Sequence, residues 1–125
     1  MTTFKTFGHR AYIGAAALVA VLILLLGNVF TNAGYSGENS GDSWVDVKGN
    51  DYTITGNSAS KTLLDAFQVH DVLKGWGLDN TFTDNTVKSG VPGYEVWVQS
   101  ASLDTVVTCK TSGADKGLTN GRCTK

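Results

Sequence analysis

The stretch from Ala11 to Phe30 (AYIGAAALVAVLILLLGNVF) carries no charge, and Asn28 is its only strongly polar side chain. In helical form such a segment rises roughly 1.5 Å per residue and reaches about 30 Å, the hydrocarbon thickness of a bilayer. No other feature so narrows what the chain can be, because a span of this kind fixes location and orientation together. Lys5 and Arg10 precede it, and the positive-inside rule keeps that end in the cytoplasm. The expectation is a membrane-anchored protein with residues 1–10 cytoplasmic, 11–30 a transmembrane helix in contact with membrane lipid, and the rest extracytoplasmic, in a periplasm or on a cell surface. A secretory signal peptide cleaved after Ala33 is the rival reading, although an apolar core of about 7 to 15 residues would be usual for one. Within the span, Ala11, Gly14, Ala15, Ala16 and Ala20 bring small residues to a spacing that lets helices approach closely, which predicts side-by-side packing.

Charge and length remove other classes. With 125 residues, 10 basic and 11 acidic side chains and a net charge of -1, the chain has one domain's worth of sequence and no basic field for nucleic acid. Its two cysteines, Cys109 and Cys123, both lie beyond the apolar segment, and an even number in an oxidising compartment predicts a disulfide. Loop-entropy arguments give such a bridge about 3 kcal/mol, a large share for a small domain.

Beyond the span, residues 31–43 (TNAGYSGENSGDS) read as a linker of turn formers. Trp44–Lys48 and Tyr52–Thr55 alternate and flank Gly49-Asn50-Asp51, which predicts a β-hairpin. Lys61–Trp76 has the length and residue types of a helix, capped from Asn57–Ser60 and stopped by Gly75 or Gly77, although its apolar residues make no single stripe. Tyr94–Gln99 alternates strictly, and Leu103–Lys110 is β-branched enough to pair with it. No internal repeat is evident. The fold class expected is α+β: an N-terminal transmembrane helix followed by a small head over residues 44–125, one helix packed on an antiparallel sheet and closed by a C-terminal disulfide loop.

A search for chemistry finds little. Of the two histidines, His9 and His70, only the second lies beyond the apolar segment, and on a helix it would point away from Asp71. Nucleophile-elbow, phosphate-loop, dinucleotide and zinc-protease signatures are absent. Asp79–Asn85 offers oxygen ligands but not the spacing of a calcium loop. These observations predict no enzyme, no cofactor and no metal site. The large aromatics suggest surface contacts instead, with Tyr94 and Trp97 the interface candidates.

The order of parts resembles that of type IV pilins: an N-terminal apolar helix, a small head, and a terminal stretch from Cys109-Lys110-Thr111-Ser112 to Gly121-Arg122-Cys123-Thr124-Lys125 that is similar to the pilin disulfide loop. The chain lacks the family's processing motif, a glycine before a phenylalanine with a glutamate five residues on. The resemblance implies pairing of Cys109 with Cys123 and association with like subunits. Together these readings predict a non-enzymatic, single-pass structural or accessory subunit of a membrane or surface assembly, partnered by other protein subunits or by itself. The alternatives are a pilin-like filament subunit and a secreted glycan- or protein-binding module.

Overall fold

Three dipeptides, Gly27-Asn28, Gly56-Asn57 and Asp84-Asn85, recur at intervals of 29 and 28 residues and turn the chain the same way each time. The first member of each takes a left-handed backbone (φ 66°, 65° and 52°), a conformation open to glycine and tolerated by aspartate. The second turns its carboxamide along the stack. The backbone N–H of Asn28 donates to Oδ1 of Asn57 (2.9 Å), and that of Asn57 to Oδ1 of Asn85 (3.1 Å). Nδ2 of Asn57 and of Asn85 donate in turn to the carbonyls of Leu25 and Ile54.

The computed structural model describes residues 23–38 and 41–125. Among these residues ten short strands are laid down in turn: β1 (Ile23–Leu26), β2 (Val29–Thr31), β3 (Val45–Val47), β4 (Tyr52–Thr55), β5 (Ser58–Ser60), β6 (Phe67–Val69), β7 (Thr81–Thr83), β8 (Thr86–Val87), β9 (Val96–Val98) and β10 (Val106–Val107). Every ladder between them is parallel. They form three sheets, ordered β1-β4-β7-β10, β2-β5-β8 and β3-β6-β9, hereafter the first, second and third sheets. Each circuit of the chain adds one strand to each sheet, so the chain winds as a three-sided parallel β-coil, a solenoid in which each turn rests on its neighbours. Left-handed residues recur at a second corner too, where Asp51, Asp79 and Asp104 (φ 60°, 56° and 50°) lead into the first sheet.

Strand alternation sends one residue in two inward, and the register stacks like on like. Leu25, Ile54, Phe82 and Val107 stack inside the first sheet. Phe30, Ala59 and Val87 stack inside the second, and Phe67 and Val96 inside the third. Trp44 is buried between the stacks, its ring 6.2 Å from Phe30 and 5.7 Å from Phe67, and Nε1 donates to the Lys61 carbonyl. Phe67 continues the line to Phe82. This one column of apolar side chains is the core.

The last part of the described chain lies on the open edges. Asn120 donates from Nδ2 to the Val98 carbonyl and accepts the Val98 N–H, both at 2.8 Å. Thr124 does the same for the first sheet by backbone bonds, its N–H donating to Val107 and its carbonyl accepting from Cys109. Cys109 and Cys123 are joined by a disulfide. The fully buried Glu95 receives Nζ of Lys110 and the hydroxyl of Ser112, each at 2.7 Å, which holds residues 110–112 against the coil.

Several expectations are corrected here. The α+β class is replaced by an all-β coil: among the described residues there is no α-helix, only a 3-10 turn at Ala101–Leu103. No helix among them is long and apolar enough to cross a membrane. The last eight residues of the expected transmembrane helix contain β1 and most of β2, which pair in parallel with β4 and β5. The membrane-anchored localisation therefore loses its support; the packing residues Ala11, Gly14, Ala15, Ala16 and Ala20 lie outside the described residues. Lys61–Trp76 forms no helix, because Phe67 and Val69 are buried in strand alternation while Leu63, Leu64, Val72, Leu73 and Trp76 stay exposed. The 44–55 hairpin is absent, since β3 and β4 belong to different sheets, and so do β9 and β10. An internal repeat is present after all, as the recurring corners show.

Candidate functional site

The alternation that sends Phe67 and Val69 inward sends Gln68 and His70 outward, and the parallel register repeats this on each circuit. Asp46, Gln68 and Trp97 therefore form one column on the outside of the third sheet. Lys48, His70 and Gln99, two residues further along, form a second. In parallel sheets neighbouring residues of adjacent strands lie about 4.8 Å apart, so residues far apart in sequence become neighbours here by register alone.

His70 is the centre of this face. Its Nε2 lies 3.0 Å from Oε1 of Gln68 and 3.4 Å from Oδ1 of Asp46, and its ring centre is 5.2 Å from that of Trp97. The other carboxylate oxygen of Asp46 pairs with Lys48 at 2.7 Å. Oδ1 of Asp46 is buried with no hydrogen-bond partner, so its 3.4 Å approach to the imidazole is an electrostatic contact rather than a hydrogen bond.

Behind Gln68 stands a second carboxylate. Asp65 is 3% exposed and Gln68 4%, and Nε2 of Gln68 donates to Oδ2 of Asp65 at 3.0 Å. The backbone N–H of Tyr94 donates to Oδ1 of Asp65 at 2.6 Å. Gly93 makes this possible, because a Cβ there would overlap Oδ1 of Asp65.

These groups line a depression of about 310 Å³ whose wall comes from Asp42, Leu64, Asp65, Tyr94 and Lys116 and whose floor comes from Gln68, His70 and Trp97. Nζ of Lys116 lies 5.7 Å from the ring centre of Tyr94, on its face. No carboxylate among the described residues lies within ion-pair distance of Lys116, in contrast to Lys48 and Lys110. The depression thus joins an imidazole, an ammonium with no described carboxylate at ion-pair distance and two aromatic rings, beside the carboxylates of Asp42 and of the buried, hydrogen-bonded Asp65, a set that offers a polar, ring-shaped ligand both stacking surfaces and a cation.

Of the residues singled out from sequence, the structure puts Tyr94 and Trp97 in this depression, and Cys109 and Cys123 lie elsewhere, in the segment beside the first sheet. His70 is set aside there on the expectation of a helix, and Asp46, Asp65, Gln68 and Lys116 are not singled out. The signal that could have found them is the recurrence of the corner dipeptides, which sets Asp46, Gln68 and Trp97 in one row. Within Asp79–Asn85 the carboxamides of Asn80 and Asn85 are buried and bound chiefly to backbone groups, whereas the carboxylates of Asp79 and Asp84 are exposed at two different corners of the coil. No group of three or more potential metal ligands occurs among the described residues.

No family model and no curated protein sequence matches the chain. Among solved structures it is similar to an alginate lyase from Paenibacillus sp. str. FPU-7, with a TM-score of 0.64 and 32% identity over 82% of this chain. The chain spans 36% of that protein's length. This likeness overturns the pilin resemblance, since the neighbour shares the parallel-sheet layout rather than a helix-and-head one. It also corrects the expectation of a non-enzymatic membrane subunit, because a solved structure that shares this fold at this identity is that of an alginate lyase.

Proposed function

We propose that the outer face of the third sheet binds a uronate-containing polysaccharide and cleaves it as a lyase. The observation that carries this reading is the pairing, in one depression, of a half-buried imidazole next to a carboxylate with an ammonium that no carboxylate neutralises. The likeness to an alginate lyase supports it, as alginate is a polymer of uronates.

Cleavage of such a polymer without water proceeds by elimination. A base removes the proton on the carbon next to the carboxylate, that electron pair becomes a carbon–carbon double bond, and the neighbouring glycosidic C–O bond breaks. The departing oxygen takes a proton and becomes the new reducing end. Three services are needed: a cation at the carboxylate to stabilise the developing charge, a base, and a proton donor. Lys116 fits the first, because its charge is free for substrate. His70 fits the second, and the unpartnered Oδ1 of Asp46 stabilises the imidazolium that forms. The aromatic faces of Trp97 and Tyr94 give sugar rings a surface to lie on. The hydroxyl of Tyr94, in the same depression, is the candidate proton donor.

The test is incubation of the purified protein with alginate, with polygalacturonate and with a neutral glucan, following the ultraviolet absorbance of the conjugated double bond. A rise with a uronate polymer, none with the glucan, and its loss in His70→Ala and Lys116→Ala variants that remain folded are expected. Folded protein that raises no absorbance from either uronate polymer overturns the reading.

A further inference from the structure

We propose that Asp65 and Gln68 are positioning residues that fix the proton of His70 on Nε2 and so leave Nδ1 as the basic atom; the proposal rests on the lyase reading for its catalytic consequence. The argument is one of donors and acceptors. A glutamine carboxamide presents one oxygen and one NH2, and either could face His70 if nothing else decided. Asp65 decides. Its carboxylate only accepts, it already receives the Tyr94 N–H at Oδ1, and Oδ2 is 3.0 Å from Gln68, so Gln68 must turn its NH2 that way. Oε1 is then the atom left to face the imidazole, 3.0 Å from Nε2, and an oxygen without a proton requires a donor there.

Both relay residues are nearly fully buried, so water does not compete for these bonds. Oδ1 of Asp46, also an acceptor, lies on the same side of the ring and favours the same tautomer. Nδ1 is engaged by no described residue and is not among the buried unpartnered atoms, so it is open to the depression or to solvent. Trp97 beside the ring limits its rotation. A neutral imidazole held this way offers its lone pair in one direction before substrate arrives.

The relay makes a prediction that a merely structural role would not. In Asp65→Asn the residue keeps one oxygen for the Tyr94 N–H and presents an NH2 to Gln68. Gln68 must then flip and offer its own NH2 to Nε2, which moves the His70 proton to Nδ1. Nitrogen-15 NMR of the imidazole in the full chain reads the tautomer directly. We expect the Nε2–H form in the wild type, the Nδ1–H form in Asp65→Asn, and a mixture in Gln68→Ala. On a uronate polymer, both variants should lose kcat by roughly tenfold or more with KM little changed, since proton transfer rather than binding is impaired.

A wild type with the proton on Nδ1, or a tautomer unmoved in both variants, overturns the relay. Should Asp65→Asn not fold, Gln68→Ala decides alone. The two proposals fail separately: the expected tautomers in a protein that cleaves no uronate polymer would refute the lyase reading and leave the relay standing, whereas His70-dependent cleavage with an unaltered tautomer would refute the relay only.

Discussion

Asn57 donates twice to Asn85, its backbone N–H and its side-chain Nδ2 both reaching Oδ1, at 3.1 and 2.9 Å. Both residues are buried, and Asn57 completes the set by accepting at Oδ1 from Asn28 and donating to the Leu25 carbonyl. A corner that would leave peptide groups dry and unpaired is satisfied by the row of carboxamides, the role ladders of asparagine play in stacked strands generally.

Asn57→Ala should therefore cost about 2 to 3 kcal/mol, because it strips partners from the Leu25 carbonyl and the Asn28 N–H together. Asn28→Ala should cost markedly less, since Asn28 is exposed and water can replace its bonds. Urea unfolding of the two variants side by side checks the order; equal losses would contradict it.

At Gly56 the backbone is left-handed at φ 65°, and the nearest atom to an added Cβ would be Leu26 Cδ1 at 3.6 Å, so conformation rather than space sets the penalty. Asp84 occupies the same corner one circuit on with φ 52°. Replacement of Gly56 by Asn or Asp should be milder than by Ala, about 1 kcal/mol, and Val should be the worst of the series. Thermal midpoints in that order are the expected result.

Gly93→Ala should damage both the candidate site and the connection that carries it. The added methyl collides with Oδ1 of Asp65 and with the backbone carbonyl of Leu64, and forces the carboxylate off the Tyr94 N–H. Loss of uronate cleavage together with a lowered unfolding midpoint is expected; full activity in this variant would show that the placement of Asp65 does not matter to the reaction.

Cys109→Ser removes a bridge across a sequence separation of 14, which loop-entropy models value at about 3 kcal/mol. The bond also keeps Thr124 against Val107 and Cys109. Amide exchange at Thr124 and Cys109 should quicken in the variant before exchange in the buried strands does, and so should exchange in the wild type after reduction.

Alternation was readable where it occurs: Val45–Val47, Tyr52–Thr55 and Val96–Val98 are strands. What the amino-acid pattern hid was their partners. A hairpin announces itself locally, whereas this parallel coil pairs each strand residue with one 22 to 29 positions away, and the sequences between the corners share little beyond one buried apolar position in two. The apolar run ending at Phe30 misleads because continuous hydrophobicity fits a strand as well as a membrane helix, and here Ile23, Leu24, Leu26 and Val29 are exposed on β1 and β2 with only Leu25 and Phe30 turned to the core; Gly27-Asn28, a turn signal inside it, is the distinguishing mark. Lys61–Trp76 carried its own warning in the lack of a stripe. For the site the obstacle was the same, since Asp46, His70 and Trp97 are unremarkable until the register puts them side by side.

The corner between the first and second sheets never varies from two residues, but the connection from the second sheet to the third is 32–44 on one circuit, 61–66 on the next and 88–95 on the last. Those uneven connections supply Asp42, Leu64, Asp65 and Tyr94 to the depression. The protein separates two inheritances: one corner carries the gauge of the coil at a constant length, and the other is free in length, differing on every circuit while the strands it joins keep their parallel register, even though it also contributes buried residues such as Trp44, Ala66 and Glu95. Variation in what such a chain recognises can accumulate at the free corner at little cost to folding, so homologues with the same frame are expected to differ in ligand where these connections differ in length.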